Sequence, residues 1–147
     1  MTDYISQQEV DILRDMPKEY LGETLFDLPD FGGGKLVIPL FSENKREEFK
    51  LDITASTIAL KRTYQNRARI NIVLVRVDLN GPPHRNPDGE EILCPHIHIY
   101  KEGYGDKWAY VLPDMFTNHN DAFVVLLDFM RFCNITKPPQ INKGLFV

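Results

Sequence analysis

Apolar residues recur along the chain with two different periods. Between Arg69 and Leu79 they alternate on both faces: Ile70, Ile72 and Leu74 project one way, Val73, Val75, Val77 and Leu79 the other. A strand apolar on both sides belongs in the middle of a sheet. Phe49, Leu51 and Ile53 alternate with Lys50, Asp52 and Thr54, a half-buried strand that Thr54 to Leu60 can extend. Lys35 to Phe41 is a further strand, and Pro39 places it at an edge or a bulge. Glu91 to Tyr100 and Lys107 to Leu112 flank the turn Gly103-Tyr104-Gly105-Asp106 and predict a hairpin.

The helical period occurs twice. Ser6-Gln7-Gln8-Glu9 matches a capping box; Val10 and Leu13 then share a face, and Pro17 closes a helix over 6–16. Ala122, Val125, Leu126, Phe129, Met130 and Cys133 form one stripe of a helix over 119–133. Asn118 or Asn120 is its expected cap, Asp121 suits its first turn, and Pro138-Pro139 forbids continuation. Residues 18–34 read as an irregular, acidic connection. The order predicts one α+β domain over 1–147, an antiparallel sheet of five to six strands within 35–112 flanked by an N-terminal and a C-terminal helix.

Composition narrows the class. The chain has 147 residues, 43% apolar and 26% charged, enough to bury a core without staples. Its apolar runs are far too short to span a bilayer, and the start of the chain, with Asp3 and Glu9, has no signal-peptide pattern. Cys94 and Cys133 read as reduced thiols. A cytoplasmic domain without membrane contact is the expectation. Residues 1–60 carry twice as many acids as bases, whereas 61–147 carry a slight excess of bases. The stretch KRTYQNRARINIVLVR, 61–76, holds five bases and no acid, which suits a local phosphate contact.

All four histidines lie between 84 and 119. His96 and His98 are two apart on a strand, so they share a face, joined there by Cys94 and Tyr100. The proline-rich loop Gly81-Pro82-Pro83-His84-Arg85-Asn86-Pro87-Asp88-Gly89 leads into that strand. The preceding strand ends in Arg76 and Asp78, which also share a face. If the two strands are neighbours, His84, His96, His98, Arg76 and Tyr100 converge.

Imidazoles serve as acid and base near neutral pH, which is most of what RNA cleavage needs. In that reading His84, His96, His98, Arg85 and Tyr100 are the catalytic set. Arg76, Arg69, Arg67, Lys107 and Trp108 bind substrate, with aromatic stacking suited to single-stranded RNA. No cofactor and no metal is expected. Three alternatives compete. A solvated sheet face needs no chemistry at all. A metal chelate could use His96 and His98 with Cys94 or Glu102. A histidine-triad hydrolase would need histidine where Tyr100 stands. Gly32-Gly33-Gly34-Lys35 lacks the Ser/Thr of a phosphate loop and reads as a turn.

The stretch from Arg76 to Tyr110 resembles a family of small bacterial and prophage proteins that share the Gly81–Gly89 loop and the strand Pro95-His96-Ile97-His98-Ile99-Tyr100. It also resembles, more distantly, the TumE-like toxins of toxin–antitoxin systems, through Asp78, Pro83-His84 and Pro95-His96-Ile97-His98. That second likeness implies a small intracellular toxin with ribonuclease activity. The resulting expectation is a metal-independent endoribonuclease of toxin or phage–host conflict type, with RNA and an antitoxin or host defence protein as partners. A binding protein that inhibits a host defence complex through its acidic N-terminal third is the runner-up.

Overall fold

The computed structural model describes residues 5–30, 32–58 and 61–143. The chain opens with α1 (Gln7–Asp15), followed by β1 (Lys18–Glu19), β2 (Leu25–Asp27), β3 (Gly34–Ser42), β4 (Glu48–Ala55), β5 (Arg62–Ala68) and β6 (Ile72–Asp78). Then come β7 (His84–Arg85), β8 (Glu91–Ile92), β9 (His96–Ile99), β10 (Ala109–Val111), α2 (Ala122–Phe132), β11 (Ile135–Lys137) and β12 (Gln140–Asn142). Eight strands form the main sheet, in the order β10-β9-β6-β5-β4-β3-β1-β11, antiparallel except where β1 meets β11. The α+β class is therefore as expected, but the sheet is wider than five to six strands. The added strands β1 and β11 are two and three residues long and lie in connections beside the helices. Segments that short carry no readable alternation.

Register assigns the two faces of the sheet. The cross-strand rows Ile53–Tyr64–Val77–Ile97 and Leu51–Asn66–Val75–Ile99 look toward the helices. The rows Thr54–Thr63–Asp78–His96 and Asp52–Gln65–Arg76–His98 look the other way. One face is the core and the other is polar, as antiparallel sheets often are. The two-sided apolar pattern of β6 has a local cause. Asn66 pairs with Val75 while Arg67 pairs with Val73, so Leu74 is an extra residue in a bulge. Leu74 and Val75 are both fully buried in the core, and the residues before and after them exchange faces. Without that bulge Arg76 and Asp78 would follow Leu74 into the core.

The helices fit their signals with two differences. Ser6 Oγ accepts the Glu9 N–H at 3.1 Å, but the Glu9 carboxylate reaches Arg69 at 2.5 Å instead of closing the box. Asp121, not Asn118 or Asn120, caps α2, accepting from the Phe123 and Val124 N–H groups at 3.0 and 3.2 Å. Val125, Leu126, Phe129 and Met130 are buried as the stripe requires. Tyr64, fully buried on β5, donates its hydroxyl to the Ala122 carbonyl at 2.7 Å and fixes α2 over the sheet centre. Pro39 pairs with Lys50 on one side and lies beyond the reach of β1 on the other, an edge position. The strand continuation toward Leu60 stops at Ala55, and Ala59 and Leu60 lie outside the described residues. Among the described residues no helix is long and apolar enough to cross a membrane.

Candidate active site on the polar sheet face

The register of β6 against β9 builds the site. Asp78 pairs with His96 and Arg76 with His98, so four polar side chains project from one patch of the polar face. The proline-rich loop folds over this patch. Its ends form the ribbon β7–β8, and Asn86 fastens it to the sheet edge. The buried Asn86 amide donates to the Ala109 carbonyl at 2.9 Å and its oxygen accepts the Ala109 N–H at 2.8 Å, mimicking a strand partner. Gly89 turns the loop back with φ 92, a conformation glycine takes without strain. The loop thereby hangs His84 over the other two imidazoles. Ring centres are 4.6 Å apart for His84–His98, 5.0 Å for His96–His98 and 6.1 Å for His84–His96.

Asp78 stands at the middle. Its Oδ2 is 3.1 Å from His96 Nε2 and 3.2 Å from His98 Nε2, and its Oδ1 accepts from Thr63 at 3.2 Å and faces Arg76 Nε at 3.3 Å. Burial alone would raise the Asp78 carboxyl. Hydrogen bonds from the two histidines and the Arg76 guanidinium override it and hold the group well below the usual carboxylate range. Arg76 is itself held by Asp106 at 2.7 Å, with Nη2 3.0 Å from His98 Nε2. Cys94 Sγ lies 3.5 Å from His96 Nδ1; burial and the nearby Asp78 charge push its thiol up, so it stays protonated.

A pocket of about 440 Å³ opens beside this group. Its floor is the row Thr54, Thr63, Asp78 and His96; its walls are Lys61, Arg76, His84 and the turn from Asn80 to Pro83. The three imidazoles differ in access. His84 is half-buried, whereas His96 and His98 are only 2% and 1% exposed. His84 Nε2 donates to the Lys107 carbonyl at 2.7 Å, which leaves its Nδ1 lone pair to accept a proton.

The structure brings together His84, His96, His98 and Arg76. The other candidates lie elsewhere. Arg85 points outward and pairs with Glu91 at 3.1 Å. Tyr100 borders a second cavity between the start of α1 and the turn 102–107, and Lys107 lines that cavity too. Two bases of the strip are neutralised internally: Arg67 binds Asp52 at 2.6 Å, and Arg69 binds Glu9 and Glu47. Trp108 is covered by the Lys101 ammonium, 4.3 Å from its ring centre. Glu102, weighed as a metal ligand, accepts the Gln7 N–H at the start of α1. Five contributors were outside the sequence-derived set: Asp78, Thr63, Lys61, Asn86 and Asp106. Of these Asp78 had left a signal, sharing a face with Arg76 at the end of β6, and Lys61 opened the basic stretch 61–76.

A family model covers this whole arrangement, matching residues 5–135. The chain belongs to the family of unknown function DUF6978. The resemblance to small proteins sharing the loop and the His96–His98 strand is consistent with that membership, and the family brings no activity with it. No curated protein and no solved structure matches the chain.

Proposed function

We propose that the pocket binds a phosphodiester of single-stranded RNA and cleaves it with His84 as the base. The observation that carries this reading is a half-buried imidazole with an open nitrogen, set over a cleft lined by the cations Lys61 and Arg76. About 440 Å³ suits one nucleotide unit and its phosphate, within the range of small-ligand sites. In the reaction His84 Nδ1 takes the proton of a 2′-hydroxyl. The 2′ oxygen forms a bond to phosphorus, the bond to the 5′ oxygen breaks, and water in the open pocket returns a proton to the departing oxygen. Lys61 and Arg76 balance the charge that grows on the phosphoryl oxygens.

His96 and His98 take different roles from those the sequence suggested. A sealed imidazole held against a carboxylate exchanges protons poorly with substrate, so His96 shapes the floor of the site and His98 packs beside it. The test uses a labelled single-stranded RNA oligonucleotide and its 2′-deoxy counterpart. Cleavage of the RNA alone, leaving cyclic phosphate ends, is expected, with a loss of ~10²–10⁴-fold in His84→Gln. A wild-type protein that leaves the RNA intact at high concentration, or a His84→Gln variant of undiminished rate, would overturn the proposal.

A further inference from the structure

Asp78, His96 and His98 are wired as a ligand set. Their candidate donor atoms, one from each residue, all lie within 4.8 Å of one another. Each of the two imidazoles has its remaining nitrogen on a backbone carbonyl. His98 Nδ1 donates to Asp106 O at 2.8 Å, and His96 Nδ1 donates to Leu93 O at 3.3 Å. Those bonds place a proton on Nδ1 in both rings and aim both Nε2 atoms at Asp78 Oδ2, where each donates to the carboxylate or, once an ion displaces that proton, serves as a ligand. The carboxylate is oriented in the same sense, because Thr63 and Arg76 engage Oδ1.

Three candidate ligand atoms thus face one another, with Oδ2 only 3.1 and 3.2 Å from the two nitrogens. The positive charge beside them is the Arg76 guanidinium, 3.0 Å from His98 Nε2 and 3.3 Å from Asp78 Oδ1. Ligands held ~2.0–2.1 Å from a tetrahedral ion are separated by roughly 3.3 Å, close to the spacing of Oδ2 from each nitrogen. Carbonyl-held imidazoles are what metal-binding histidines ordinarily show, and two histidines with one carboxylate leave coordination positions open for chemistry. Cys94 lies beside Nδ1 of His96, on the far side of the ring from Nε2, and is outside the set.

We propose that His96 Nε2, His98 Nε2 and Asp78 Oδ2 bind one divalent first-row transition-metal ion, Zn²⁺ in the first instance. Its open positions face the pocket under His84. Arg76 Nη2, 3.0 Å from His98 Nε2, gives up that nitrogen to the ion, while Arg76 Nη1 holds Asp106 and Nε faces Asp78 Oδ1. The inference deepens the reading of this same site and departs from the expected metal-free mechanism. It concerns occupancy alone, so it stands or falls separately from RNA cleavage.

The experiment starts from the full chain stripped with chelator. Zn²⁺ is titrated by calorimetry and Co²⁺ by visible absorption. One saturable equivalent is expected, weakened at least ~100-fold in both Asp78→Asn and His98→Gln and unchanged in Cys94→Ser and Glu102→Gln. A second measurement needs no variant. In the Co²⁺ protein, two exchangeable imidazole N–H protons should appear as paramagnetically shifted proton resonances, because both rings bind through Nε2. Absence of saturable binding, binding indifferent to Asp78→Asn and His98→Gln, or a Co²⁺ spectrum without the two shifted N–H signals would each overturn the proposal. RNA assays with chelator and with restored Zn²⁺ are read separately. Metal binding without cleavage removes the ribonuclease reading and leaves this one standing.

Discussion

Asp78 does two jobs with its two oxygens, and Thr63 works with Arg76 to keep them apart. The Thr63 hydroxyl holds Oδ1 at 3.2 Å, so Oδ2 is presented to the histidines. Thr63→Val keeps the β-branched shape on β5 and removes only that hydrogen bond. We expect metal affinity to fall ~10–100-fold, as is usual when an oriented ligand loses its outer partner, while stability changes by no more than ~1 kcal/mol. Zn²⁺ calorimetry beside urea unfolding separates the two effects; unaltered affinity would mean that Asp78 needs no help in orienting. Residue types alone signalled the histidines, because all four crowd into 36 positions of the chain. Asp78 was harder to see. Its pairing with His96 is a matter of strand register, and one residue of slip sends every side chain to the opposite face.

At the scale of elements, Lys18 joins the ends of both helices. Its ammonium, fully buried, donates to the carbonyls of Arg14 and Met16 at the end of α1 and to Cys133 at the end of α2, at 2.7, 3.0 and 2.7 Å. Helix C-termini leave carbonyls unpaired and carry partial negative charge, so a cation there satisfies both needs. The ring of Phe49, 4.9 Å from the same nitrogen, seats it against the core. Lys18→Met keeps the length of the side chain and strands the three carbonyls. A loss of about 2–5 kcal/mol is expected from urea unfolding; a loss under ~0.5 kcal/mol would mean that water or a rearranged turn replaces the ammonium. The two helices themselves were legible because long stripes at 3.6 spacing survive any tertiary context. β1, which begins at Lys18, was not: a two-residue strand is defined by its partners β3 and β11, not by its own composition. The bulge at Leu74 was hidden for a related reason, since an extra residue looks like continued alternation until the partner strand is known.

For the whole molecule, the sheet separates a helix-covered apolar face from a polar face that carries the site, and three titrating groups on the apolar side set how folding depends on alkali. Burial lowers Lys18 from 10.5 to about 8. Burial pushes the Cys133 thiol up from 9.0 to about 12 and raises the Tyr64 phenol above its usual 10.0. Above pH 8 the native chain releases the Lys18 proton while the unfolded chain still holds it. The unfolded state then binds more protons, and stability rises with pH. Cys133 acts in the opposite sense. Beyond pH 9 the unfolded thiol ionises while the native one keeps its proton, so stability falls; Tyr64 adds to the fall beyond pH 10. Between pH 8 and 9 only the Lys18 effect operates among these three, worth at most ~1.4 kcal/mol over that unit. From 9 to 10 the two opposing slopes cancel, and above 10 the loss prevails. Urea midpoints collected from pH 7.5 to 11 should therefore climb, level off near pH 9–10 and then drop. Lys18→Met should lose the climb and keep the drop, whereas Cys133→Ala should extend the climb toward pH 10. A wild-type curve that falls steadily from pH 8 would show that the three carbonyls around Lys18 hold its proton more firmly than burial expels it.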